Sequence, residues 1–144
     1  MEYVICNMYE KYIKEEICDE AANGNFIIHK KGCTCCKRMI NGISEYTSTV
    51  TGEKYKIDGY YTCETSNCIY LVTCGICHMQ YVGKTIRSMR KRHARHRDDI
   101  KANIGGLGAH FLKHAEEIGI DMESNMEDIM QYFKLIILTD VDFS

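Results

Sequence analysis

The chain has 144 residues, 45% of them hydrophobic and 26% charged, with a formal net charge of −2. That balance argues against a disordered chain, and no apolar run approaches the ~20 residues of a membrane span. The N-terminus has no apolar signal core and is charged from Glu2 onward, so we expect an intracellular protein, nuclear or cytoplasmic, and not a secreted one.

Nine cysteines without a secretory signal point away from a disulfide framework and toward metal binding. Charge is unevenly spread. Between residues 84 and 97 stand Lys84, Arg87, Arg90, Lys91, Arg92, Arg95 and Arg97, with no acid among them. A basic band on an otherwise acidic chain suggests a polyanion partner met along one face.

In chain order, residues 7–22 read as a helix, with Tyr9, Ile13, Ile17 and Ala21 on one stripe and Asn7 as N-cap. Asn23, Gly24 and Asn25 stop it, and 26–28 reads as a short strand. Cys33, Cys35 and Cys36 follow between basic residues. Two strands are expected at 45–50 and 54–62, turning at Thr51-Gly52-Glu53. Residues 69–73 and 81–82 read as an antiparallel hairpin that brings Tyr70 and Tyr81 near one face. A helix capped by Ser88 comes next, with Met89, Arg92, Arg95 and His96 near one side. Gly105, Gly106 and Gly108 break it before a second helix at 107–118. Residues 121–131 give no firm pattern beyond a helical tendency near their end, and 133–138 read as a strand.

Several residues carry chemistry. A phenol such as Tyr70 or Tyr81 can orient a water or take its proton if nearby cations lower its pKa. Gly83 can let a phosphate or the following helix approach closely. Arg92 can clamp a phosphate through paired hydrogen bonds, and His96, one turn on, can act as a base or bond the phosphate. Lys84, Arg87, Arg90, Lys91, Arg95 and Arg97 would track a nucleic-acid backbone. The bland reading of that segment is a solvated charged helix, which seven like charges make uncomfortable. Cys33, Cys36, Cys74 and Cys77 have the spacing of one four-cysteine structural zinc site, with Cys35, Cys63, Cys68 and His78 as rival ligands. His110 and His114 also have ligand spacing and can complete a site of two cysteines and two histidines.

Cys68-Ile69-Tyr70, Tyr81-Val82-Gly83 and the downstream Arg92-x-x-x-His96 together resemble the GIY-YIG nuclease family. The string from Cys33 to His114 is similar to the GIY-YIG domains linked to Penelope-like reverse transcriptases, which also continue YVGKT into an Arg-rich helix. The resemblance implies an α+β fold: a small three-stranded antiparallel sheet flanked by helices, here with an N-terminal helix and a cysteine-rich, zinc-binding extension. It implies a division into an extension at 1–62 and a nuclease domain at 63–144. It further implies endonucleolytic hydrolysis of DNA with Mg²⁺ or Mn²⁺, with Tyr70, Tyr81, Arg92 and His96 as catalytic residues. Cys68 stands where the family has its first glycine. In the resembled domains the metal-binding glutamate follows the strand matched by 133–138, close to Ser144, so a C-terminally truncated domain is expected. Glu116 or Glu117 is then the stand-in ligand. A catalytically inactive zinc-containing nucleic-acid-binding remnant is the alternative, a protein-interaction module a third, and a homodimer that cuts both strands stays open.

Overall fold

The computed structural model describes residues 23–142; the helix expected at 7–22 lies outside them. The elements are β1 (Gly24–Asn25), a 3₁₀ turn (Cys36–Arg38), β2 (Glu45–Thr47), β3 (Lys54–Lys56), β4 (Tyr60–Tyr61), β5 (Cys68–Cys74) and β6 (Gln80–Thr85). Helices α1 (Met89–Ala102), α2 (Gly105–Ile118) and α3 (Met126–Met130) follow, and β7 (Phe133–Asp140) closes the order. The architecture is mixed α+β, built on a three-stranded antiparallel sheet of order β6-β5-β7.

β5 is central because its sequence, CIYLVTC, can be buried on both faces. Tyr70 pairs with Gly83 and Val72 with Tyr81 across the β5–β6 ladder. Side chains alternate along a strand, so Tyr70 and Tyr81 stand on the same face. That face meets the helices. The other face, with Leu71, Thr73 and Ile136, borders the β2–β3 hairpin and Ile43.

Helix α1 starts where Ser88 Oγ accepts the Lys91 backbone N–H at 3.3 Å, and ends at Asn103 in a left-handed conformation. It buries Met89, His93, His96 and Ile100, and leaves most of its basic side chains outward. α2 crosses close over its end: a Cβ on Gly108 would lie 2.7 Å from the Asp99 carbonyl oxygen. The core joins Phe111, Ala115, Ile129, Met130 and Phe133 to the apolar residues of β5 and β7.

The N-terminal part is less regular than expected. Residues 26–28 form no strand; Gly24 and Asn25 do, in parallel with Tyr60 and Tyr61. Gly24, at φ +126°, is admitted because a Cβ there would meet the Ile43 carbonyl oxygen at 2.6 Å. The expected strand at 54–62 divides into β3 and β4 because Gly59, also at φ +126°, turns the chain between them. This part packs on the sheet through Asn25, which is fully buried. Its side-chain amide donates to the Ile137 carbonyl at 3.0 Å and its Oδ1 accepts the Ile137 N–H at 2.7 Å.

Candidate active site and metal-ligand groups

Tyr70 sits in mid-β5, 2% exposed. Its hydroxyl lies 2.6 Å from His96 Nε2 and accepts the Arg92 Nε–H at 3.0 Å. Arg92 and His96 reach it together because residues four apart share one side of α1. The His96 ring also meets the Tyr70 ring edge-on and tilts against Phe133.

Burial pushes the Tyr70 phenol above its ordinary value, and the bond and charge of Arg92 only partly oppose this. The expected lowering by cations is thus outweighed by desolvation. Burial, reinforced by Arg92, pulls His96 down to about 4, with Asp99 opposing. At neutral pH the pair is therefore a neutral phenol against a neutral imidazole, and with the imidazole proton on Nδ1 the phenol donates to Nε2. Tyr70 can hand its proton to Nε2 while its oxygen takes another, next to a fixed cation.

Gly83 serves this arrangement differently from the sequence reading. A Cβ there would fall 2.5 Å from Tyr70 Cζ and 2.6 Å from its hydroxyl oxygen. The missing side chain makes room for the Tyr70 ring, in place of a phosphate or helix.

Tyr81 is half-buried on the same face but outside this network. Its hydroxyl points to Met79 Sδ at 3.7 Å and its ring packs edge-on against His110. Burial, then Cys77 and Cys74, raise its phenol.

The basic residues divide into two sets. Arg87, Lys91, Arg92 and Arg95 line a groove of about 390 Å³ along α1, with Ala94 and Asp98. Arg95 also reaches Asp99 at 3.5 Å. Arg90 pairs with Glu64 at 3.4 Å, while Arg97 meets Glu127 at 2.6 Å beside Arg38 at 3.2 Å. Lys84 is exposed on β6.

The cysteines are split in a way the spacing did not indicate. Instead of one four-cysteine site, there are two groups that can hold a metal ion. One is His29, Cys33, Cys36 and Cys63; the other is Cys74, Cys77, His110 and His114. In each, the four ligand atoms lie within 4.8 Å of one another. The second matches the alternative of two cysteines and two histidines. His29 was missed, although it stands four residues before Cys33. Cys35 is buried apart from both groups, with its thiol raised by desolvation. Cys68 pairs with Thr85 and Asp140 across the sheet, and burial raises its thiol to about 11. His78, exposed in the β5–β6 loop at φ +66°, belongs to neither group.

Among the described residues these are the only clusters of three or more such donors, and neither is the oxygen set that Mg²⁺ or Mn²⁺ takes. Glu116 and Glu117 are exposed on α2, and Glu117 lies 3.5 Å from His114 Nδ1. The donors do not compose a hard-cation site. No family model, curated protein or solved structure matches the chain.

Proposed function

We propose that the chain is a GIY-YIG-type endonuclease module that hydrolyses DNA phosphodiester bonds. The observation that carries this reading is the Tyr70–His96–Arg92 contact at 2.6 and 3.0 Å. As Tyr70 passes its proton to His96 Nε2, its oxygen draws one from an attacking water. Arg92 offsets the charge that develops on the phenolate and, from the groove it lines, on the phosphate. Arg87, Lys91 and Arg95 hold the flanking backbone. Cys74, Cys77, His110 and His114 take a structural zinc, which fixes the hairpin bearing Tyr81 against α2. Chelation by these soft donors closes the site and gives it no part in the hydrolysis.

The test is nicking of supercoiled plasmid with and without Mg²⁺ or Mn²⁺. Tyr70→Phe and His96→Ala should each lower the rate about 10²-fold or more while DNA binding persists. Nicking unchanged by both substitutions overturns the assignment.

One observation favours a second reading. The described residues lack an oxygen-rich cation site, which suits a zinc-containing module that binds nucleic acid without cutting it. Salt-sensitive DNA binding by protein that leaves plasmid intact would select that reading.

A further inference from the structure

We propose that His29, Cys33, Cys36 and Cys63 form a zinc centre of their own, so that the chain carries two zinc ions, and that this centre secures the start of α1. The donors converge without a disulfide between them. Cys33 and Cys63 Sγ are 3.9 Å apart, and both cysteines are free. His29 Nδ1 lies 3.2 Å from Cys63 Sγ and 3.7 Å from Cys36 Sγ. Zinc bonds of about 2.3 Å to sulfur and 2.0 Å to nitrogen give tetrahedron edges of roughly 3.5–3.8 Å. The observed spacings bracket that range.

The local chain is shaped for thiolates. Cys33-x-x-Cys36 turns into the 3₁₀ segment, so that the Cys36 backbone N–H donates to Cys33 Sγ at 3.4 Å. All three cysteines are buried and His29 is half-buried, so the four ligand atoms converge on one point shielded from solvent. On binding, each thiol releases its proton to solvent, and a Cys₃His set around Zn²⁺ retains one negative charge. Soft sulfur donors select zinc over Mg²⁺ or Ca²⁺.

The link to α1 is through the backbone. The Cys63 carbonyl accepts the Arg90 N–H at 2.7 Å, and the Thr65 carbonyl accepts the Met89 N–H at 2.8 Å. These are the first two residues of α1. A ligand residue therefore supplies the acceptor for one of the helix's otherwise unpaired N–H groups. Metal bound by Cys63 fixes the end from which Arg92 and His96 project.

The count of two rests on the zinc proposed above at Cys74, Cys77, His110 and His114, but the readout is metal content and is independent of nicking. Purified full-length protein should contain two equivalents of zinc. Cys63→Ser should leave one, Cys77→Ser should leave one, and the double variant none. Cobalt substitution should give one ion with three thiolate charge-transfer bonds and one with two. His29→Cys guards against a folding failure: it should keep two equivalents while the first site's cobalt spectrum becomes that of four thiolates. Amide exchange at Met89 and Arg90 should rise in Cys63→Ser and not in Cys77→Ser. A single equivalent in the wild type, two equivalents in Cys63→Ser, or an unshifted cobalt spectrum in His29→Cys would each overturn the proposal.

Discussion

Gly83 carries a constraint that belongs to Tyr70, thirteen positions earlier and directly across the ladder. Gly83→Ala would place a methyl carbon 2.5 Å from the phenol ring, so the ring must leave its contact with His96 and Arg92. We expect a loss of about 1–3 kcal/mol in stability and of nicking, with DNA binding kept; thermal melts beside plasmid and binding assays check this. A second single-residue effect comes from His93, which is fully buried with neither ring nitrogen hydrogen-bonded. Burial, with Arg97, His96 and Arg38 adding to it, drives its pKa to about 3. Unfolded histidines take up protons below about 6.5. Stability from His93 and His96 is therefore complete above that pH and falls on acidification, until His96 protonates near 4 and His93 near 3. The two together are worth on the order of a few kcal/mol. His93→Phe should flatten that acid loss; melts of wild type and variant from pH 7.5 to 4 cancel any shared loss of metal. The sequence displayed Arg92 and His96 as a spaced pair, because helix periodicity puts residues four apart on one side, and only the resemblance to the nuclease family joined Tyr70 to them. It did not display the role of Gly83 or the burial of His93, since both depend on which residues face each other across the folded chain.

At the level of elements, α1 separates charges that look equivalent in the sequence. Arg87, Lys91 and Arg95 line the groove, whereas Arg97 is joined to Glu127, which also holds Arg38. Alanine at each groove position should lower DNA affinity and reduce the slope of log affinity against log salt by about 0.9 for each phosphate no longer neutralised. Arg97→Ala should leave that slope nearly unchanged and lower the melting temperature, because it strips Glu127 of its 2.6 Å partner. Binding titrations across salt concentrations separate the two outcomes, and equal slopes for all variants would contradict the division. The hairpin, α1, α2 and β7 were legible from apolar runs, the Ser88 cap and the glycine break. The N-terminal strands were legible only in part. Their lengths are set by Gly24 and Gly59 at positive φ and by a parallel pairing between distant segments, which local patterning does not encode. The short α3 has five residues, too few for a periodic signal.

For the molecule as a whole, the two donor groups differ in shielding. Three of the four donors are buried in the first group, Cys33, Cys36 and Cys63, with His29 half-exposed; in the second only Cys74 is buried, Cys77 is exposed and His110 and His114 are half-exposed. A chelator should therefore remove metal in two phases, the Cys74–Cys77 group first. Released zinc followed by a colorimetric dye, alongside circular dichroism, checks this; a single phase would contradict it. Ligand spacing revealed the C-x-x-C pairs, but not that Cys33 and Cys36 would meet Cys63 and His29 instead of Cys74 and Cys77, because such pairing is decided by chain topology. The buried Asn25 has a different consequence. Its carboxamide stands in for a peptide group, matching both the N–H and the C=O of Ile137, and so blunts the β7 margin of the sheet where another polypeptide could otherwise add a strand. Asn25→Ala would free those two groups on an apolar stretch, Leu135-Ile136-Ile137. The cost should surface as concentration-dependent self-association, visible by light scattering, in a variant that still folds.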